Sequence, residues 1–402
     1  MEALIPPSYT LAGMAEEEGE LRNVYMLGLV SFFTDFSSEM VFCLLPVYIL
    51  GLPGGTIASL GLVEGTAEAV SYALRAVSGF FSDKFRRRKP FILAGYALSN
   101  IAKPLFAAAA DVSHVMTIRV VERMGKGVRT APRDALISAS VPSGRRGEAF
   151  GIHRALDQMG AIVGPLTATG VMVLLGWTVK DVFWLSLVPG TATLVVILLG
   201  VKEIVGDSTR EFRFLEGLGE VVRGDFLRLL VVVAVFSLGA FNFSFILLNA
   251  RLMGVGDPLI PVVYAVLNVT HTIVAFPAGR LSDRMGRART LGFGYLVFVA
   301  SAGLLYVSPK AVPYAYLIAA VYGVYMGVVE TIQRALIPGY VEEAVLGTAY
   351  GVYYLVVGSA FFVSNTVVGR LWQSQGLWAS SLYSVALTLV AFLGLTLFTR
   401  GS

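Results

Sequence analysis

Residues 79 to 89 read GFFSDKFRRRK, and residues 279 to 289 read GRLSDRMGRAR. Gly79, Ser82 and Asp83 recur as Gly279, Ser282 and Asp283, each displaced by 200 residues. The same displacement relates GEAFG at Gly147–Gly151 to GTAYG at Gly347–Gly351, and Ala135-Leu136-Ile137 to Ala335-Leu336-Ile337. Three matches at one offset do not arise by coincidence. The chain is a tandem duplication, with both halves in the same orientation.

The residues between these landmarks decide what is duplicated. Hydrophobic residues make up 56% of the chain and charged residues 14%. The apolar residues fall in runs of about 20, enough for a helix to cross a hydrocarbon layer of roughly 30 Å. The lone Cys43 excludes an intrachain disulfide. The net charge of +4 sits in short loops between apolar runs, so it is a topology signal and not a nucleic-acid footprint. Up to Leu21 the chain is polar and acidic, with Glu16, Glu17, Glu18 and Glu20 and no basic region before an apolar core. That pattern is a surface or disordered tail, not a cleavable signal peptide.

Twelve spans follow from the hydropathy pattern. The first six run about Val24–Leu50, Thr56–Phe81, Pro90–Ala110, Ser113–Val128, Arg146–Gly176 and Val182–Val201. The second six run about Leu229–Met253, Leu259–Leu281, Thr290–Val307, Val312–Arg334, Leu346–Leu371 and Ser380–Phe398. The expected organisation is a tail over 1–21, a six-helix bundle over 22–204, a charged linker over 205–226 and a second bundle over 227–402. The loops after the second, fourth and eighth spans are basic, with Lys84, Arg86, Arg87, Arg88 and Lys89, then Arg129, Arg133, Arg145 and Arg146, then Arg284, Arg287 and Arg289. Positive loops stay in the cytoplasm, so both termini are expected there.

Two six-helix halves, each with G-x-x-S-D and a basic cluster between its second and third spans, resemble the major facilitator superfamily from about Val24 onward. The family's loop signature runs G-x-x-x-D-R-x-G-R-R. The second copy follows it through Gly279, Asp283, Arg284, Gly286 and Arg287, whereas the first has Lys84 and Arg86 in place of an arginine and a glycine. The resemblance implies an all-α polytopic membrane protein with 12 transmembrane helices in two bundles, working as a secondary transporter by alternating access. The glycines would let helices approach closely. Asp83 and Asp283, with Arg87, Arg284 and Arg287, would form a latch on one face. The simpler reading of the basic clusters is topology alone.

An ionised side chain at mid-bilayer costs about 2.5–3.5 kcal/mol even on insertion scales. The first half nevertheless carries Asp35, Glu39, Glu64, Glu68, Lys103, Arg119, Glu122, Arg123, His153, Arg154 and Asp157 within its spans. At 1.5 Å per residue, Asp35, Glu68, Arg123 and Asp157 fall about 15–18 Å into their helices, near the midplane. Asp35/Glu39, Glu64/Glu68 and Arg119/Arg123 are i, i+4 pairs, each sharing a helix face. The arginines account for some of these carboxylates as ion-pair partners. Six carboxylates against two deep arginines leave a surplus, and unpaired carboxylates at low dielectric can carry protons. Asp35 and Glu68 are the first candidates by depth. In transporters resembling this chain, an acidic residue on the first span plays that part, which fits Asp35 and Glu39.

The fourth-span stretch Arg119-Val-Val-Glu122-Arg123-Met-Gly125 loosely matches the family's arginine motif. Gly160-Ala-Ile-Val-Gly164-Pro165 in the fifth resembles the G-x-x-x-G-P element of antiporter members, which implies export. The second half has few charges: His271, Glu330 and Arg334. Its expected cavity surface is Asn242, Asn249, Asn268, Tyr353, Tyr354 and Asn365. His153 is a relay partner for Asp157, a metal ligand or a packed polar group; with three histidines and no ligand spacing, no dedicated metal site is expected. No phosphate-binding loop and no hydrolase motif occurs, which disfavours an ATP-driven pump and an enzyme. The expectation is therefore a monomeric, proton-coupled exporter of a small molecule in the plasma membrane, with no cofactor and no nucleic-acid partner. A metal-ion or organic-anion transporter without proton coupling is the alternative.

Overall fold

The computed structural model describes residues 11–85, 87–204, 221–342 and 345–400. Among them there is no strand, and the chain crosses the bundle twelve times. In order the helices are α1 (Leu11–Phe42), α2 (Leu45–Leu50), α3 (Ile57–Lys84), α4 (Lys89–Leu105), α5 (Val112–Ala139), α6 (Arg146–Leu174), α7 (Val179–Leu185) and α8 (Leu187–Gly200). After them come α9 (Gly224–Gly239), α10 (Ser244–Leu252), α11 (Ile260–Met285), α12 (Arg287–Val307), α13 (Val312–Leu336), α14 (Leu346–Gln375) and α15 (Leu377–Arg400). The pairs α1–α2, α7–α8 and α9–α10 each make one interrupted crossing. Helices prevail because lipid offers backbone groups no partner outside the segment itself.

Two boundaries differ from the sequence expectation. α1 starts at Leu11, so helical backbone runs through 11–21 into the first crossing. Its Leu, Ala, Met, Glu and Arg are strong helix formers that carry the turn outward. α5 continues past Val128 to Ala139 and takes Arg129 and Arg133 out of the presumed loop. Residues 1–10 and most of the expected linker, 205–220, lie outside the described residues.

Among the described residues, nine crossings are long and apolar enough to span a membrane. The other three are α3, α5 and α6, which hold most of the charge found in the first half. α3 packs on α14 and α6 on α11, joining the halves. The α3–α14 seam is a close backbone contact. A Cβ on Gly61 would run into the Asn365 carbonyl, and one on Gly369 would lie 2.8 Å from the Ile57 carbonyl.

The break between α9 and α10 has its own supports. Asn242 N donates to Asn365 Oδ1 at 2.8 Å, and Ser364 Oγ donates to the Ala240 carbonyl at 2.6 Å. Tyr322 OH donates to the Phe241 carbonyl, and Ser244 N to Asn242 Oδ1 at 2.9 Å. Side chains from α13 and α14 thus replace the helical bonds that the break forfeits. Ladder and loop repeat as well: Arg88 Nη1 donates to the Ala135 carbonyl at 3.2 Å, and Arg287 Nη1 to the Ala335 carbonyl at 2.9 Å.

Candidate functional site

The charges of the first half sort into two layers, and the deeper one is closed. Arg119 is fully buried, with Nη2 2.9 Å from Glu64 Oε2 and Nη1 3.0 Å from Glu122 Oε2. Its guanidinium lies 3.8 Å above the Phe42 ring. Arg119, Glu64 and Glu122 sit behind the cavity wall and not on it. Burying an ion pair this way stabilises little by itself, but removing one partner leaves an uncompensated charge.

In front of that layer is a cavity of about 340 Å³ between the halves. It is large enough for a small organic molecule. Asp35, Glu39, Glu68, Arg123 and Asp157 line it from the first half, and Asn242, Asn268, His271 and Tyr353 from the second. Arg123 Nη2 is 2.9 Å from Glu68 Oε1 and Nε is 3.7 Å from Glu122. Asp157 accepts from Ser31 Oγ at 2.5 Å and from Arg154 Nη1 at 2.8 Å. Glu39 accepts from Tyr264 OH across the interface at 2.7 Å. Asp35 faces the carboxyls of Asp157 and Glu39. Among the described residues no arginine or lysine lies within ion-pair distance of Asp35.

Besides Glu64, Arg119 and Glu122, three more expected members sit off the cavity. His153 is buried off the cavity, its Nε2 without a hydrogen-bond partner among the described residues. Asn249 is buried against Met253, 3.6 Å from its sulfur, and does not reach the cavity. Asn365 supports the α9–α10 break. His271 Nε2 stands 3.5 Å from Arg154 Nη2, a cation and not a metal cluster. Among the described residues no group of three or more His, Cys, Asp and Glu is arranged to hold a metal ion.

The glycines of the fifth span, on α6, serve packing. A Cβ on Gly160 would strike the Phe32 carbonyl, and one on Gly164 would lie 2.6 Å from the Phe36 carbonyl, so both let α6 approach α1. Pro165 lies inside α6 without ending it. At the loop signature, Gly286 has φ +89°, a left-handed conformation that glycine adopts freely. Gly279 does not mediate close packing: a Cβ there would meet nothing within 4 Å. Asp283, Arg284 and Arg287 are exposed, and Asp283 has no ion-pair partner among the described residues. Arg87 is exposed too, while the surroundings of Gly79 and Asp83 lie outside the described residues.

The cavity extends from mid-bundle toward the end that bears both termini, reaching Arg133, Asp134 and Arg334. At the opposite end the halves are joined: Ile57 N donates to Gln373 Oε1 at 3.0 Å, and Thr169 Oγ1 to the Pro258 carbonyl at 2.8 Å. Nearer the middle Asn268 Nδ2 donates to the Ala161 carbonyl at 3.2 Å. One end is sealed and the other open.

The model of the Major Facilitator Superfamily matches residues 27–365. The chain belongs to the major facilitator superfamily. It is a multi-pass membrane transporter and not an enzyme. An uncharacterised MFS-type transporter of Methanocaldococcus jannaschii is 35% identical over 368 residues, covering 89% of this chain and 90% of that one. The multidrug resistance protein MdtG of Serratia proteamaculans is 26% identical over 189 residues, 45% of this chain and 44% of that one. The crystal structure of the nucleoside transporter NupG superposes with a TM-score of 0.73 at 13% identity, covering 94% of this chain and 98% of that one.

Sequence reasoning overlooked four cavity cations. Arg75 and Lys126 lie inside expected spans, and Arg129 and Arg133 lie just past the end of one, yet all four line the cavity. Helical spacing was the available signal. Glu68 and Arg75 stand seven apart on one face, and Arg119, Arg123, Lys126 and Arg133 recur at intervals of three, four and seven.

Proposed function

We propose that the protein is a proton-coupled secondary transporter of a small molecule, with Asp35 as its proton site. The observation that carries this reading is the carboxyl of Asp35 facing that of Asp157, with no arginine or lysine within ion-pair distance among the described residues. Asp157 is already engaged by Arg154 and Ser31 as an acceptor. Two adjoining carboxyls at low dielectric share one proton, and Asp35 is the free member of the pair. Glu39, bonded to Tyr264 of the other half, would sense whether the halves are together.

The basic loops support cytoplasmic termini in a plasma membrane. In that orientation the conformation is inward-facing. The bundles 22–204 and 227–402, joined by 205–226, would rock about the cavity in a monomer. Closing the cytoplasmic side would bring Asp83 and Asp283 against arginines of the signature loops.

A second reading is outward movement in exchange for protons. The Gly160–Pro165 element and the partial likeness to a multidrug resistance protein support it.

The test uses liposomes holding purified protein and a trapped pH dye, challenged with organic anions, organic cations and neutral solutes in turn. A transported solute should move protons with wild-type protein and move without them in Asp35→Asn. Proton movement that persists in Asp35→Asn would overturn the assignment.

A further inference from the structure

The charged wall of the cavity is unbalanced in a particular place. Glu68 stands amid three cations, Arg75, Arg123 and Lys126. Arg123 takes Glu68 as its direct partner at 2.9 Å. Among the described residues no carboxylate lies within ion-pair distance of Arg75 or Lys126, although both line the cavity. Arg75 instead lies on aromatic faces, its guanidinium carbon 4.8 Å from the Tyr72 ring centre and 6.0 Å from that of Tyr354. Its Nε is buried without a hydrogen-bond partner. Tyr72 and Tyr354 come from opposite halves, with ring centres 5.7 Å apart. Like charges gathered in a low-dielectric cavity repel one another and call for an anion.

Resting on the proton-site reading above, we propose that Arg75 and Lys126 form the substrate's anchor, and that the substrate is an organic anion with a flat apolar body. The anionic group pairs with the two cations, and Arg75 offers its planar fork to a carboxylate, sulfonate or phosphate. The body lies against the aromatic wall of the second half, where Tyr322, Tyr325 and Phe361 line the cavity.

The anchor and the proton site share Lys126. Asp35 is faced by Asp157, Glu39 and Lys126, with Lys103 and Arg129 also in electrostatic range. Ionised, Asp35 draws on Lys126 and competes with the substrate. Protonated, it releases Lys126 to the anion. Proton and anion therefore bind together, the sign of co-transport and not of exchange.

The probes are benzenesulfonate and 2-naphthalenesulfonate, which stay ionised over the working pH range, with 2-naphthyltrimethylammonium as the matched cation. Binding to purified full-length protein is measured by calorimetry. Sulfonate should bind and the cation should not. Arg75→Gln and Lys126→Gln should each weaken sulfonate binding by at least about tenfold, while Arg75→Lys should recover part of the loss. Wild-type affinity should rise as pH falls, and Asp35→Asn should be tight and independent of pH. No sulfonate binding, equal binding of the cation, or indifference to both charge removals would overturn the anchor. Sulfonate binding lost in Lys126→Gln but retaining its pH dependence in Asp35→Asn would uphold the anchor and sink the proton-site reading instead.

Discussion

The two halves share a fold and even a loop anchor, with Arg88 on the Ala135 carbonyl answered by Arg287 on the Ala335 carbonyl. Their interiors are built from opposite chemistry. The first half holds its helices with buried ions, Arg119 between Glu64 and Glu122. The second holds its own with aromatic rings and neutral hydrogen bonds. Phe236 stacks on Tyr295 at 4.0 Å, and Gln333 bridges Tyr295 and Tyr353. One scaffold can therefore carry a titratable half and an inert one. Most of the charge on the cavity wall comes from the first half, while the second contributes mainly aromatic and amide side chains with His271, Glu330 and Arg334.

This contrast is open to attack at several points. The largest effect should come from Arg119→Met, which strands Glu64 and Glu122 and should cost about 3–5 kcal/mol. Thermal melting in detergent would read it, and the double variant with Glu64→Gln should regain part of the loss. A melt unchanged by Arg119→Met would show that the ion layer holds nothing. Next is Gly160→Val, where the added carbons meet the Phe32 carbonyl; overpacking of this kind costs about 1–3 kcal/mol. Asn365→Ala comes third. It removes the acceptor for Asn242 N and should lower stability by about 1–3 kcal/mol, with faster hydrogen exchange confined to residues around the α9–α10 break. Exchange unchanged there would mean that the break is held by other bonds. The smallest change in stability, within about 0.5 kcal/mol, is expected for the exposed Asp283→Asn. Its effect should appear instead in spin-label distances across the open end, as fewer closed molecules; an unchanged distribution would remove the latch.

The duplication and the crossings were legible because repeats and the length of apolar runs are linear properties of a sequence. The sorting of charges was not. Glu64 and Glu68 stand one turn apart, yet one is sealed against Arg119 and the other faces the cavity, and only packing between helices decides which. Arg129 and Arg133 misled for a different reason. A hydropathy reading ends a span where charge begins, whereas α5 continues because that face meets an aqueous cavity and not lipid. The α3–α14 seam was written openly as Gly61-x-x-x-Gly65, a spacing that invites close helix contact, but nothing in the sequence named Asn365 and Phe362 as its partners.

Three crossings of the first half, α3, α5 and α6, are too charged to enter a bilayer on their own merits. During synthesis α3 emerges with Glu64 and Glu68 well before α5 brings Arg119 and Arg123 to neutralise them. Their charge is neutralised only when α3 and α5 are packed side by side, with Glu64 on Arg119 and Glu68 on Arg123. All six crossings of the second half, by contrast, are apolar enough to partition alone, as are the three remaining crossings of the first.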